Sequence, residues 1–192
     1  MFQEAPQVGG LGVTLKVIRG ENYLKELKWE EQDFAAWKAS LPFSLKHVLP
    51  KLYEVFTLAK DDNILLANNN KSAGDFISTW NVNKDLHKWP EFKEFVDWIE
   101  SNFQGHEITE MWANVTEPDG FLKSHNHIGH KYAGTVYISA KENCGDIVMR
   151  GCCRGKIKEG DVIIFDGDIS HYTMVNNSGE DRVVAAFILE EK

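Results

Sequence analysis

Cysteine is scarce in this chain, with only Cys144, Cys152 and Cys153 in 192 residues. An odd number, two of them adjacent, does not make a disulfide framework, so free thiols and a reducing compartment are expected. Long apolar runs are missing too. None approaches the roughly 20 residues needed to span a bilayer, and the opening "MFQEAPQVGG" lacks a basic stretch followed by an apolar one. A soluble, cytoplasmic protein without a membrane partner is expected. Positive charge is also in deficit: 21 Lys and Arg stand against 29 Asp and Glu, for a net charge of -8. The basic residues are scattered, so the field repels phosphate backbones and no nucleic-acid partner is expected. "GGLG" near the start lacks the glycine spacing and the strand-turn-helix context of a nucleotide loop. No internal repeat or low-complexity linker breaks the chain, and its length suits one domain over 1-192.

What is present divides into two grammars. In the first half, "VTLKVIRG" suggests a short strand. After it, "NYLKELKWEEQDFAAWKAS" spaces Leu24, Leu27, Phe34 and Trp37 at helical intervals behind an Asn22 cap. "LKHVLPKLYEVFTLAK" fits helix or strand, and "NNNKSAGD" reads as a polar loop. "WPEFKEFVDWIESNF", following Asp85, sets Phe92, Phe95, Val96 and Ile99 on one helical face. From about Ile108 the pattern changes to short segments rich in β-branched and aromatic residues: "ITEMWANVT", "FLKSHNH", "YAGTVYIS", "GDIVMR", "GDVIIF", "YTMVNN" and "RVVAAFIL". Turn signals such as "EPDG", "KEG" and "NSGED" separate them. Such spacing predicts a mostly β protein, a sandwich or jelly roll over 108-192, with the helices of 1-107 packed on one outer face.

Three of the seven histidines, His125, His127 and His130, fall within six residues. His125 and His127, two apart near a strand end, would leave the same face and converge on one ion. His171, after the apolar strand and tight turn of "GDVIIFDGDIS", is the third candidate. Three imidazoles suit iron, zinc, copper or nickel and leave positions open for substrate and oxygen. The plainer alternative puts His125 and His127 on the exposed face of an edge strand. Eleven residues after His171 stands Arg182, the only arginine in the last three apolar strands. A buried cation needs an anion, and a guanidinium grips a carboxylate through two parallel hydrogen bonds. An anionic ligand, Asp146, Asp161 or water would each serve.

The stretch from Met111 to Leu189 resembles the double-stranded β-helix of iron(II)- and 2-oxoglutarate-dependent oxygenases, in particular the small prolyl-hydroxylase-like branch found in phages and marine bacteria. "STWNVNKDLHKWPEFKEFVDWI" resembles that branch's helical lead-in. The resemblance implies a jelly-roll core flanked by helices, bound Fe(2+), 2-oxoglutarate as cosubstrate, O2 as co-reactant and a hydroxylase acting on a small-molecule or peptide substrate. It places His125 and His171 on the first and distal metal ligands, and Arg182 on the binder of the distal carboxylate. Tyr137 falls on the tyrosine that assists Arg182, and Asn114 on a further polar cosubstrate contact. The family's usual acid is replaced by His127, which is then a third neutral ligand, a spectator, or the mark of a degenerate site; its spacing favours the ligand. His130 reads as a loop histidine near the mouth, and Trp112 and Tyr132 as pocket-lining or core aromatics. A cupin also carries His-x-His and a Gly-bounded strand before a histidine. Its usual glutamate is missing around Lys131 and Tyr132, its second-motif proline is Asp166 here, and it gives Arg182 no role. A non-catalytic jelly-roll binding module is the alternative outside the enzymes.

Overall fold

A computed structural model describes residues 16–17, 36–61, 72–73, 76–149 and 153–192. Its strands in chain order are β1 (Lys16–Val17), β2 (Ala36–Ser40), β3 (Ser72–Ala73), β4 (Phe76–Ser78), β5 (His106–Thr116) and β6 (Phe121–Leu122). There follow β7 (Tyr132–Ser139), β8 (Ile147–Met149), β9 (Cys153–Gly155), β10 (Asp161–Asp166), β11 (His171–Thr173) and β12 (Arg182–Glu191). Two helices, α1 (Leu49–Asp61) and α2 (Lys93–Asn102), precede β5. Seven strands build one antiparallel sheet in the order β1-β2-β10-β7-β12-β5-β4, faced by a smaller sheet β11-β8-β9, while β3 and β6 pair separately. The result is the expected double-stranded β-helix, or jelly roll, with helices on its outer face.

Period-2 alternation explains the layers. On β5, Met111, Ala113 and Val115 join the core beneath the helices, and on β12 Val183, Ala185, Phe187 and Leu189 do the same. The opposite parity, Trp112 on β5, Tyr137 on β7, Ile163 and Phe165 on β10 and Ile188 on β12, faces inward against Ile147 and Met149 of the smaller sheet. Strands covered on both faces read as continuous apolar runs, which is why "VIIF" shows no alternation. Helix α2 seals the outer face with Phe95, Trp98 and Ile99. Its Phe95 ring meets Phe187 edge-on at 5.6 Å, a packing whose truncation to alanine typically costs about 3–5 kcal/mol. Val96, expected on that face, is only half-buried, and Trp98 takes the place.

Several local expectations are corrected. The C-terminal end of the predicted first helix, Ala36 to Ser40, is strand β2, paired with both β1 and β10. Pairing beside β10 puts Trp37 edge-on against Phe103 and Tyr132 at 5.1 and 5.3 Å, a burial that outweighs local helix propensity. Asn22, Leu24, Leu27 and Phe34 lie outside the described residues, as does "GGLG". The ambiguous segment is helix α1, entered through a 3-10 turn at Lys46–Val48. The segment after Asp85 does not enter α2 directly. Asp85 opens a 3-10 turn at Leu86–Lys88, and α2 is entered through a second one at Pro90–Phe92. Part of the expected "NNNKSAGD" loop is β3, paired with β6. Among the described residues no helix is long and apolar enough to cross a membrane, and Cys144 is a buried free thiol.

Candidate active site

Between the large sheet's inner face and the small sheet lies a cavity of about 340 Å³. Strand register arranges its floor in rows. Phe76, Thr116 and Arg182 form one across β4, β5 and β12; Ser78, Asn114, Val184 and Tyr137 form the next, extending to β7. Trp112, Ala186 and Thr135 form the third. The six residues assigned to metal or cosubstrate from the sequence, Asn114, His125, His127, Tyr137, His171 and Arg182, line this one cavity.

His125, His127 and His171 bring one ring nitrogen each within 4.8 Å of one another. The route differs from the expected strand end. Strand β6 stops at Leu122, and His125 is held by a lone antiparallel bridge to His171, with paired backbone bonds of 3.0 and 2.8 Å. The His127 amide donates to the Gly167 carbonyl at 2.8 Å, tying the loop to the turn after β10. Gly167 is required there, because a Cβ would meet the His130 and His127 carbonyls. The turn closes through an Ile169 amide to Asp166 carbonyl bond of 3.0 Å and delivers His171 to the head of β11.

Tautomers follow from the partners. Nδ1 of His125 lies 2.9 Å from the Lys123 carbonyl, and Nδ1 of His171 lies 3.0 Å from the Ile169 carbonyl. A carbonyl only accepts, so both Nδ1 atoms carry the proton and the lone pair of each ring is on Nε2. Burial, with His125 and His127 as further contributors, pushes the His171 pKa down to about 3. It is a neutral imidazole at physiological pH, as metal ligation requires. The donor set fits a divalent transition metal such as iron. His130 does not join it. It lines the cavity, but its Nδ1 lies 2.8 Å from Oε1 of Glu190, which is not part of the lining.

At the blind end sits Arg182, 2% exposed. Its terminal nitrogens donate to the Cys144 carbonyl at 2.6 Å, the Gly145 carbonyl at 3.3 Å, Thr116 Oγ1 at 3.1 Å and Thr173 Oγ1 at 2.8 Å. All four acceptors are neutral. Asp161, one partner considered for it, is instead buried with Lys38 Nζ at 2.7 Å and Ser40 Oγ at 3.0 Å. Gly145 presents its carbonyl only because it adopts φ +90 and because a Cβ would strike the backbone of Met174 and Val175. Tyr137 is fully buried beside this charge, and desolvation holds its phenol above the ordinary value, in the neutral, donating form. Thr173 Oγ1 also accepts from the Leu122 amide at 3.0 Å, which leaves its own proton to donate elsewhere.

Thr116 and Thr173 were missed by sequence reasoning. Strand parity alone could have found them, since each lies two residues past a singled-out residue, Asn114 and His171. Trp112 lines the cavity, as considered, but Tyr132 does not. Its parity on β7 turns it to the helix side, against Phe103 and Trp37.

No family model and no curated protein sequence matches the chain. Solved structures do. An oxidoreductase of the 2OG-Fe(II) oxygenase family from Burkholderia pseudomallei aligns with TM-score 0.52 and 11% identity, over 80% of this chain and 84% of that one. A prolyl-4-hydroxylase from Pseudomonas putida aligns with TM-score 0.53 and 13% identity, over 82% and 92%. The viral collagen prolyl hydroxylase of Paramecium bursaria Chlorella virus-1, in its 2OG complex, gives TM-score 0.50 and 12% identity over 80% and 94%. The chain has the double-stranded β-helix fold of the 2OG-Fe(II) oxygenases, prolyl hydroxylases among them.

Proposed function

We propose that the chain is an iron(II)- and 2-oxoglutarate-dependent dioxygenase that hydroxylates a C–H bond of a small molecule or peptide while converting 2-oxoglutarate to succinate. One observation carries this reading: three imidazoles bring a ring nitrogen each within 4.8 Å of one another in the cavity whose blind end holds a buried guanidinium bonded, among the described residues, to neutral oxygens. When bound, iron(II) with the keto acid supplies the oxidising chemistry that activates O2.

The chain's residues do the rest. His125, His127 and His171 would hold the metal, and the carbonyls of Lys123 and Ile169 orient two of those rings. Three neutral ligands leave the centre one unit more positive than two imidazoles and a carboxylate, which favours a dianionic cosubstrate. Arg182 supplies the charge that attracts the distal carboxylate. Because its terminal N–H groups are engaged, the hydroxyls of Thr116, Thr173 and Tyr137 make the donating contacts, with Asn114 as a further polar contact. The inward layer around Phe165 and Ile147 excludes water.

Anaerobic iron(II) followed by 2-oxoglutarate is expected to develop a weak visible charge-transfer band, and aerobic turnover with a substrate panel is expected to yield succinate. Metal uptake with no response to 2-oxoglutarate would instead return the protein to a cupin-type metal oxygenase. Absence of metal uptake would leave a binding module.

A further inference from the structure

Trp80 and Trp112 meet at right angles, ring centroids 4.3 Å apart and planes at 84°. They form an aromatic corner of the cavity, and Trp112 lies 5.8 Å from the His127 ring. The corner therefore abuts the candidate metal centre, with Trp112 four residues before Thr116 on β5. One same-face step along β5, about 7 Å at the usual strand rise, is Asn114. Its Oδ1 is buried without a hydrogen-bond partner. An orphaned buried acceptor is costly and points to a donor that arrives from outside.

Ionised 2-oxoglutarate cannot be that donor, since all its polar atoms accept. An amide has a donating and an accepting end, and the keto acid can use only the first. The lining adds a second constraint. Among the described residues no Asp or Glu faces the cavity, and its one arginine is at the blind end. An ammonium group in the corner would have no counter-charge, whereas a carboxylate would be drawn toward Arg182 and compete with the cosubstrate.

We infer that Trp80, Trp112 and the Asn114 acceptor form the substrate subsite, and that it takes an uncharged apolar ring or comparable body bearing one N–H or O–H donor. This deepens the oxygenase reading and rests on it for the position of the cosubstrate. Aromatic walls supply contact area with offset or edge-on geometry, and a site built around one hydrogen bond discriminates strongly against analogues lacking it.

Four probes sharing a cyclohexane ring test this: cyclohexanol, methoxycyclohexane, cyclohexylamine and cyclohexanecarboxylate. Binding is followed by ligand-observed NMR on the full chain with zinc(II) and 2-oxoglutarate, and again with neither. With both present, cyclohexanol is expected to bind at least fivefold more tightly than the ether or either ion. Trp112→Ala and the less buried Trp80→Leu should each weaken it at least fivefold, and Asn114→Ala should erase the preference for alcohol over ether. Equal binding of the ions, or an alcohol preference that survives Asn114→Ala, would overturn the subsite. If protein that takes up no 2-oxoglutarate still shows the full preference, the subsite stands and the oxygenase reading fails.

Discussion

Replacing Arg182 with alanine separates a cosubstrate anchor from a structural arginine. Removal has two opposing effects on the cosubstrate-free protein. The Cys144 and Gly145 carbonyls lose their donor, at about 1–3 kcal/mol per unsatisfied buried group. Against this, a charge that is 2% exposed and hydrogen-bonded only to neutral oxygens no longer has to be desolvated, a gain of several kcal/mol. The net change in intrinsic stability is therefore small. Cosubstrate affinity has no such offset. Truncating one side of a buried charge pair costs about 2–5 kcal/mol, or at least about a thirtyfold rise in Kd at about 1.4 kcal/mol per tenfold. Thermal shift reads both effects. At 2-oxoglutarate equal to 100 times the parent Kd, the parent gains about 2.7 kcal/mol, whereas a thirtyfold weaker variant gains only about 0.9 kcal/mol. For a domain of this size these correspond to roughly 5–10 °C and roughly 2–4 °C. Arg182→Lys should fall between, since an ammonium has three donors for four acceptors and no planar fork. Iron affinity, measured anaerobically by calorimetry, should barely change. An undiminished 2-oxoglutarate shift in Arg182→Ala, particularly alongside a lowered baseline Tm, would refute the anchor role.

The metal ligands allow sharper outcomes. His125→Ala and His171→Ala should each abolish iron binding and uncoupled 2-oxoglutarate decarboxylation, and full iron occupancy in either would reject the triad. His127→Asp should bind iron at least as well as the parent while His127→Ala binds more weakly; an alanine variant equal to the parent would make His127 a spectator. The depressed His171 pKa sets a pH dependence for the metal-free protein. As pH falls below 6.5 the unfolded histidine takes up a proton that the folded one refuses until about pH 3. Stability should therefore decline through that window, by up to about 1.4 kcal/mol per unit, and be independent of this group above it. The measurement is Tm against pH, with His171→Asn showing a shallower slope if the assignment is right.

The parts of this protein legible in one dimension are those set by local chemistry. Alternating and doubly covered strands announce themselves through β-branched runs and turn residues, so the jelly roll and helix α2 could be read directly, whereas the α1 segment fitted either period. His125, His127, His171 and Arg182 stood out because imidazoles and a lone guanidinium are conspicuous beside apolar strands. What the tertiary structure decided depends on partners distant in the chain. Ala36 to Ser40 has helical spacing, yet it is a strand because β10 offers an open edge and a bed for Trp37. The convergence of His125 on His171 comes from one bridge across 46 positions, not from the strand that sequence spacing suggested. The four neutral acceptors around Arg182 come from β5, β11 and the turn before β8. No local pattern encodes such a cradle, because hydrogen-bond satisfaction of a buried charge is a property of whichever elements packing brings together.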